Sequence, residues 1–387
     1  MNVEWRSEGK TALVLSGGGA RAAYQVGVLK AIADLFPKNS CNPFSIITGT
    51  SAGAINAVAI AASANNFRLS IKKVEKIWTE LSVEQVYNAH TLHLLGNIMR
   101  LGMSMFNSGM ARKRPLALLD NSPLRELLRH SIQFRNIQKR IDNGYLEAVG
   151  ITASAYSGGE SVTFYQGVRS VQPWHVARKV GQPALLSIEH LMASSALPTI
   201  FPAELLGREY YGDGALRQIS PISPALHMGA DRVVVIGVSG NASVDQNKPE
   251  DHPPSMAKTV GHIFNSAFLD ALDTDLDHLM RVNDLLAILE NENPNAPTGD
   301  LRRIDLLCIE PSIEFDKLAE MHVADLPRSM RAVLNITGAT QRGGGGSMAS
   351  YLLFEGAFSR ELIKHGYQDA MDQKSIIQQF FGLDKLN

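Results

Sequence analysis

The chain has 387 residues, of which 45% are hydrophobic and 19% are charged, a composition typical of a globular protein with one large domain or two modest ones. Its 37 basic and 38 acidic side chains leave a formal net charge of −1, which argues against a nucleic-acid partner. No apolar run approaches the roughly 18 residues that a membrane-spanning helix needs, and residues 1–15 lack a signal-peptide pattern, so we expect a cytoplasmic location.

The first third of the chain alternates between buried strands and helices. Residues 11–15 predict a strand, and apolar residues at helical spacing predict a helix over about residues 21–35. A second strand at 44–50 leads into a second, Ala-rich helix at 51–64. This order predicts an α/β fold with a mainly parallel central sheet flanked by helices.

Later segments extend the same pattern and then change it. Strands are predicted at 145–156, 161–167, 232–240 and 301–311, and a long amphipathic helix at 256–289. After residue 311 the pattern is mostly helical. We therefore predict an α/β domain over residues 8–311 and a mainly helical C-terminal region over residues 312–387, packed on that domain.

A G-x-S-x-G pattern, Gly49-x-Ser51-x-Gly53, lies between the second predicted strand and the second predicted helix. Hydrolases hold a nucleophilic serine on a sharp turn at such a junction, because small neighbours let the turn close. The serine hydroxyl then stands at a helix N-terminus, which favours a developing negative charge. Ser51 is therefore a candidate nucleophile, and its alternative role is that of a simple helix N-cap.

Three consecutive glycines, Gly17, Gly18 and Gly19, follow the first predicted strand. A dinucleotide-binding pattern fits Gly17, Gly19 and Ala22, but the second strand ends in the serine turn and not in the acidic residue that such a site needs. A P-loop is excluded because no G-K-[S/T] follows. The third interpretation is an oxyanion hole, because exposed glycine N–H groups can form a nest for one oxygen beside Ser51.

Taken together, the motifs resemble those of the patatin-like phospholipase family of lipid acyl hydrolases. The resemblance spans residues 11–239 and is carried by SGGGARAAYQVGVL, GTSAGAINA, DNSPLRELL, MASSALPTIFPAE and YYGDGALRQISPISPAL, the last with Asp213-Gly214-Ala215. It implies a three-layer patatin-like architecture. It also implies hydrolysis of lipid carboxylic esters, as in phospholipase A or lysophospholipase chemistry.

The resemblance further implies a Ser–Asp dyad in place of a Ser-His-Asp triad. In such a dyad Ser51 forms the acyl-enzyme, Asp213 beside Gly214 takes the serine proton, and the amides of Gly17–Gly19 hold the oxyanion. An aspartate of ordinary pKa is ionised at neutral pH and can act as this base. Asp213 could instead only shape a D-G turn. Arg21 either shapes the glycine loop or aids the oxyanion site, and its alternative role is that of a solvated arginine at a helix start.

No motif in the sequence calls for a metal ion or a cofactor. The acidic run Asp273, Asp275 and Asp277, with Asp284 further on, lacks the glycine of a calcium loop, because His278 stands there, so we expect a solvated helix face. Three histidines among apolar neighbours are expected to be packed or at the surface: His175, His190 and His365. Two cysteines in or beside apolar segments are expected to be buried thiols without a disulfide: Cys41 and Cys308.

Two other functions and one membrane contact stay open. A Ser-His-Asp hydrolase would need more chain before Ser51 and a C-terminal catalytic histidine, and a non-catalytic lipid- or nucleotide-binding regulator would not need both Ser51 and Asp213. The Met-rich segment 92–106, from Leu92 to Phe106, is followed by the basic stretch 112–114, from Arg112 to Arg114. This pairing can make peripheral contact with an anionic lipid surface or form a lid, whereas Met and Leu at these spacings more often belong to the core.

Overall fold

The computed structural model of the protein describes residues 9–90, 96–97, 99–100, 115, 117–239, 256–294, 297–299, 301–336 and 346–386. The strands are β1 (Thr11–Leu15), β2 (Ile46–Thr50), β3 (Ala148–Ala155), β4 (Ser161–Gly167), β5 (Trp174–Val176), β6 (Lys179–Pro183), β7 (Glu204–Leu206), β8 (Glu209–Asp213), β9 (Arg232–Ile236) and β10 (Asp305–Ile309).

The α-helices are α1 (Ala23–Leu35), α2 (Ala52–Ala62), α3 (Phe67–Thr79), α4 (Val83–Val86), α5 (Ser122–Ser131), α6 (Arg135–Asp142), α7 (Ile188–Ser194), α8 (Ser223–His227), α9 (Met256–Asn265), α10 (Ala271–Glu292), α11 (Phe315–His322), α12 (Arg328–Ile336), α13 (Gly346–Leu352), α14 (Gly356–Asp372) and α15 (Lys374–Phe381). Shorter 3₁₀ turns occupy Gly19–Ala22, Gly214–Leu216, Val323–Asp325 and Leu383–Leu386. The helix predicted over 256–289 is divided by a π-helical turn at Ser266–Asp270.

A mixed, mostly parallel sheet forms the centre of the fold, in the order β10-β9-β1-β2-β3-β4-β6-β5. The first five of these strands are parallel to one another, and β4 is antiparallel to β3. The chain runs from β1 through β2 to β3 in one direction and later returns to β9 on the other side of β1. Such a reversal leaves a crevice beyond the carboxyl end of β1, and ligands bind there in open α/β sheets.

Side chains of the parallel strands alternate between two cores. In β1, Leu13 and Leu15 face a large core that includes α1, α2 and α3, whereas Ala12 and Val14 face a smaller core covered by α8 and α10. Alternation on strands buried on both sides is what a sheet between two helical layers requires. The predicted three-layer α/β class is therefore confirmed.

The C-terminal helices pack directly on the first helix of the α/β unit. A Cβ on Gly27 of α1 would lie 2.0 Å from the Ile363 carbonyl oxygen of α14, and a Cβ on Gly366 would lie 2.2 Å from the Tyr24 carbonyl oxygen. Only glycine permits this approach of the two backbones, and Phe315 joins the same core. The C-terminal region is helical as expected, and the domain boundary near residue 311 stays a prediction. Among the helices within the described residues, none has an apolar stretch long enough to cross a membrane.

Candidate active site

Ser51 occupies a strained turn between β2 and α2. Its φ of 55° and ψ of −129° lie in a region that non-glycine residues rarely adopt, at a cost on the order of 1–3 kcal/mol. The flanking glycines allow the turn to close, because a Cβ on Gly49 would lie 2.5 Å from the Gly53 carbonyl oxygen and a Cβ on Gly53 would lie 2.4 Å from the Leu15 carbonyl oxygen. Ser51 occupies the N-cap position of α2, but its side chain forms no capping hydrogen bond with that helix.

Asp213 reaches the same place along a different strand. On one edge of β3, Thr50 of β2 pairs with Thr152, and Asp213 of β8 pairs with the next residue, Ala153. The opposite edge of β3 is occupied by β4, so β2 and β8 approach each other end to end along a single edge. The backbone ladder therefore brings Ser51 and Asp213, which are far apart in sequence, to one point at the edge of the sheet.

The Asp213 carboxyl group is fully buried. Its Oδ1 accepts a hydrogen bond from the Ala215 amide at 3.0 Å, whereas Oδ2 has no hydrogen-bond partner of ordinary geometry among the described residues. Asp213 thus shapes the D-G turn, as the alternative interpretation predicts. Its Oδ2 remains available for another contact.

Burial raises the pKa of Asp213 to about 7, although the nearby Ser51 hydroxyl and the Ala215 amide both lower it. The expectation that Asp213 keeps an ordinary pKa is therefore wrong. The pKa is raised because the apolar surroundings disfavour the charged carboxylate. The local D-G sequence does not reveal these surroundings.

The glycine loop lies directly against Ser51. A Cβ on Gly17 would lie 3.1 Å from the Ser51 Cβ and 2.7 Å from the Phe268 ring. Gly19 has a positive φ of 56°, and a Cβ there would lie 2.2 Å from the Tyr351 carbonyl oxygen, so a larger residue would force the loop away. The amides of Gly18 and Gly19 donate to no acceptor within the described residues, which leaves these donors for a ligand.

Arg21 is buried and locks this loop to the C-terminal helices. Its Nη2 donates to Asp316 Oδ1 at 2.6 Å, its Nε donates to the Ser350 hydroxyl at 2.9 Å, and its guanidinium lies 4.0 Å from the centre of the Tyr351 ring. The interpretation of Arg21 as a solvated arginine is therefore wrong, because only 3% of its surface is exposed. The loop-shaping interpretation matches these contacts.

Several buried polar side chains that the sequence did not single out hold the two candidate residues in place. Ser194, at the end of α7, accepts a hydrogen bond from the Ser51 amide at 2.8 Å and donates to the Thr152 carbonyl at 2.7 Å. Gln218 donates to the Thr152 hydroxyl at 3.2 Å and is bonded to Thr50, which ties the turn after Asp213 to β2 and β3. Ser194 lies in the segment MASSALPTIFPAE and Gln218 in YYGDGALRQISPISPAL, but the sequence does not distinguish either residue from its neighbours there.

A second polar network ties α1 to α2 behind the glycine loop. Asn56 donates to the Ala22 carbonyl at 3.1 Å and to the Gln25 side chain at 3.0 Å, and Gln25 donates to the Ser16 carbonyl at 2.8 Å. The Trp78 indole completes the set by donating to Asn56 at 2.8 Å. Each buried polar group in this network has a partner, so the network rigidifies the loop.

Ser51 opens onto an apolar pocket of about 630 Å³, a volume that includes the part open to solvent. Most of its lining is aliphatic or aromatic and comes from α2, α3, α5 and the segments after α7 and α13: Gly19, Ser51, Ala52, Ile55, Ile77, Trp78, Leu81, Val86, Leu124, Leu127, Leu128, Ser195, Leu197, Phe201, Tyr351 and Phe354. The pocket suits a hydrocarbon chain with a polar group at the Ser51 end.

The acidic run lies on α10 and is only partly solvated. Asp277 is exposed and pairs with Arg281 at 3.0 Å, but Asp275 is half-buried and accepts a hydrogen bond from the Ile222 amide at 2.8 Å. The expected solvated face is thus wrong for Asp275, because α10 packs against the start of α8. Within the described parts of the chain, no group of three or more acidic, histidine or cysteine side chains is arranged to hold a metal ion.

The remaining predicted residues lie away from Ser51 or outside the described ranges. His190 is half-buried and accepts a hydrogen bond from the Ser187 amide at the start of α7, and His175 is exposed. No disulfide joins Cys41, which is buried, to Cys308, which is half-buried rather than fully buried as expected. Of the candidate membrane contact at 92–106, the structure describes residues 96, 97, 99 and 100, and 112–114 lies wholly outside the described residues.

The sheet between two helical layers and the position of Ser51 place the protein in the class of three-layer α/β proteins with a serine on a sharp strand-to-helix turn. The chain belongs to the patatin-like phospholipase family, whose sequence model matches residues 13–226, more than half of the chain. The predicted family is thereby confirmed. No sequence among the curated proteins matches the chain.

Solved structures similar to this chain include a human protein and a bacterial one. Human GIVD cytosolic phospholipase A2 is 11% identical with a TM-score of 0.46, and the match covers 97% of this chain and 60% of the human one. VipD from Legionella pneumophila is 12% identical with a TM-score of 0.34, and that match covers 93% of this chain and 67% of VipD. The chain therefore spans well under the full length of the human protein.

Proposed function

We propose that the protein is a lipid acyl hydrolase in which Ser51 is the nucleophile and Asp213 is its base. The observation that carries the proposal is the meeting of these residues at one edge of β3. Ser51 faces an apolar pocket there, and the Asp213 Oδ2 has no hydrogen-bond partner of ordinary geometry among the described residues. A buried acceptor beside a strained serine is what an activated nucleophile needs. Membership of the patatin-like phospholipase family supports the same chemistry.

The reaction proceeds in two stages. The Ser51 Oγ attacks the ester carbonyl carbon while Asp213 takes the hydroxyl proton, and a tetrahedral intermediate forms. The bond to the alcohol then breaks, the alcohol oxygen receives the proton from Asp213, and the acyl group remains on Ser51. In the second stage Asp213 takes a proton from water as the water attacks the acyl carbon. The bond to Ser51 breaks, Oγ recovers the proton, and the fatty acid leaves.

Charge on the carbonyl oxygen is stabilised by the glycine loop. The amides of Gly18 and Gly19 are unused by other described groups, and the loop lies against Ser51. Donors fixed in this way are worth about 10²–10³ each in rate when they meet an oxyanion. The N-terminus of α2, which begins at Ala52, adds a favourable field at the same point.

The pocket lining indicates the substrate class. Aliphatic and aromatic side chains dominate it, so the acyl chain of a lipid or fatty-acyl ester occupies it and leaves the ester at Ser51. Neither a metal nor a cofactor takes part in this mechanism. A Ser-His-Asp mechanism receives no support from the described lining of the pocket, which includes no histidine.

Covalent labelling tests the proposal. Wild-type protein is treated with an alkyl fluorophosphonate, digested and analysed by mass spectrometry, with p-nitrophenyl octanoate hydrolysis measured in parallel. We expect one labelled residue, Ser51, and we expect Ser51→Ala to lose both labelling and at least about a thousandfold in hydrolysis. Ser63→Ala, at the other end of α2, is the matched control and should retain both. Label on another serine in folded Ser51→Ala would refute the assignment.

A further inference from the structure

Ser195 carries a buried hydroxyl without a partner. The residue is 8% exposed, and its Oγ forms no hydrogen bond with any described group, although its amide donates to the Leu191 carbonyl at 3.0 Å. A hydroxyl removed from water without compensation destabilises the folded protein, so native proteins rarely keep one without a reason. The neighbouring Ser194 hydroxyl, by contrast, both accepts and donates.

The backbone holds Ser195 between the two candidate catalytic residues. Ser194 Oγ accepts from the Ser51 amide at 2.8 Å, and the Ala196 carbonyl accepts from the Asp213 amide at 2.9 Å. The residues on either side of Ser195 therefore contact Ser51 and Asp213 directly. This arrangement fixes Ser195 at the end of the pocket where an ester group would lie.

The other polar side chains of the pocket are already occupied. The Trp78 indole donates to Asn56 at 2.8 Å, and the Tyr351 hydroxyl donates to Asn265 at 3.0 Å. Ser195 also lines the pocket, and the rest of that lining is largely apolar. In the described lining, Ser195 is therefore the side-chain hydroxyl besides Ser51 that can donate a hydrogen bond to a bound ester.

We propose that the Ser195 hydroxyl donates a hydrogen bond to the ester group of the bound substrate and is a substrate-binding residue of this site. The inference rests on the proposed acyl hydrolase function and adds to it a specific contact with the ester. Binding of substrate would give this buried hydroxyl a hydrogen-bond partner.

Ser195→Ala tests this contact, with Ser359→Ala as the matched control. Ser359 in α14 is also buried with an unpartnered hydroxyl, but it does not line the pocket. We expect Ser195→Ala to lower kcat/KM for p-nitrophenyl esters about tenfold, the size of one lost hydrogen bond. Its melting temperature should not fall, because the alanine removes a group that had no partner. Ser359→Ala should keep both kcat/KM and the melting temperature.

The acyl-chain dependence separates contact with the ester from a general loosening of the pocket. With butyrate, octanoate and palmitate esters, Ser195→Ala should lower kcat/KM by the same factor, because the ester group is common to all three. If Ser195→Ala loses kcat/KM only with long-chain esters, or keeps the kcat/KM of the wild type, the proposed contact is refuted. Ester hydrolysis by the wild-type protein would still support the proposed function in either case. A wild-type protein that neither hydrolyses these esters nor reacts with the fluorophosphonate would overturn both.

Discussion

Ser51 and Asp213 stand at facing strand ends on one edge of β3, where Thr50 pairs with Thr152 and Asp213 pairs with Ala153. The relationship is set by main-chain pairing, so it does not depend on a flexible side-chain reach. It also explains why Asp213 is buried, because β3, the turn after β8 and α7 surround it. Asp213 is thus placed where the proposed mechanism needs a base, although its burial disfavours the charged carboxylate.

The pH dependence of hydrolysis follows from that burial. Burial raises the pKa of Asp213 to about 7, and only the ionised carboxylate can accept the Ser51 proton. We therefore expect kcat/KM to rise about tenfold per pH unit below that pKa and to level off above it. Measurement of p-nitrophenyl octanoate hydrolysis from pH 5 to 9 checks this. A flat profile over that range would mean that the base has the ordinary pKa of an aspartate.

Local patterns were enough to predict the elements that carry Ser51. The strand β1, the helices α1 and α2, and the turn at Ser51 all follow from short-range periodicity and from glycines at close approaches. The pKa of Asp213 was mispredicted, because its burial depends on strands from distant parts of the chain. Arg21 shows the same limit, since its partners Asp316 and Ser350 lie 295 and 329 residues away in sequence.

The hydrogen-bond partners of buried hydroxyls could not be predicted from the sequence either. Serines are common, and nothing in the letters MASS distinguishes Ser194, which holds the Ser51 amide, from Ser195, which has no partner. Only the packing of α7 against β3 gives the two hydroxyls different surroundings. The family resemblance includes the segment MASSALPTIFPAE but does not assign a role to its individual side chains.

Removal of the Asp316 carboxylate should loosen the glycine loop. Among the contacts of the described residues, Asp316→Ala leaves the buried Arg21 guanidinium with Ser350 and the Tyr351 ring. Because Asp316 is 38% exposed and water can replace part of the lost contact, we expect a fall of about 1–2 kcal/mol in the free energy of unfolding. We also expect a lower kcat/KM, since Arg21 lies only two residues after Gly19 in the same loop.

Urea denaturation and octanoate ester hydrolysis measure both effects of Asp316→Ala. The control is Asp277→Ala, which breaks an exposed pair with Arg281 on α10. That change should cost no more than about 0.5 kcal/mol and leave hydrolysis unaltered. Equal stability losses in the two variants would show that the Arg21–Asp316 pair has no special structural weight.

Leu127→Trp should change the preference for acyl-chain length. Leu127 is half-buried on α5 and lines the pocket, so a larger ring there fills space that a long chain needs. We expect the ratio of kcat/KM for palmitate to butyrate esters to fall about tenfold, within the range that pocket size confers on specificity. Leu69→Trp, at a half-exposed position on α3, should leave the ratio unchanged. An equal loss for both esters would place the acyl chain elsewhere.

Asp213→Asn should separate catalysis from stability. The amide oxygen can keep the Ala215 cap, but the side chain no longer accepts the Ser51 proton, so hydrolysis should fall at least about a thousandfold. The folded-state pKa of Asp213, about 7, exceeds the ordinary value of 3.8, so wild-type stability decreases as pH rises from about 4 to 7 and then levels off. Asparagine removes that loss, and the variant should gain stability relative to wild type across this window, by a few kcal/mol above pH 7. Thermal melts at pH 5 and 8 measure the difference. Near-wild-type hydrolysis by the folded variant would restrict Asp213 to its turn-forming role. If the stability difference between variant and wild type is the same at pH 5 and pH 8, the Asp213 carboxyl group is solvated.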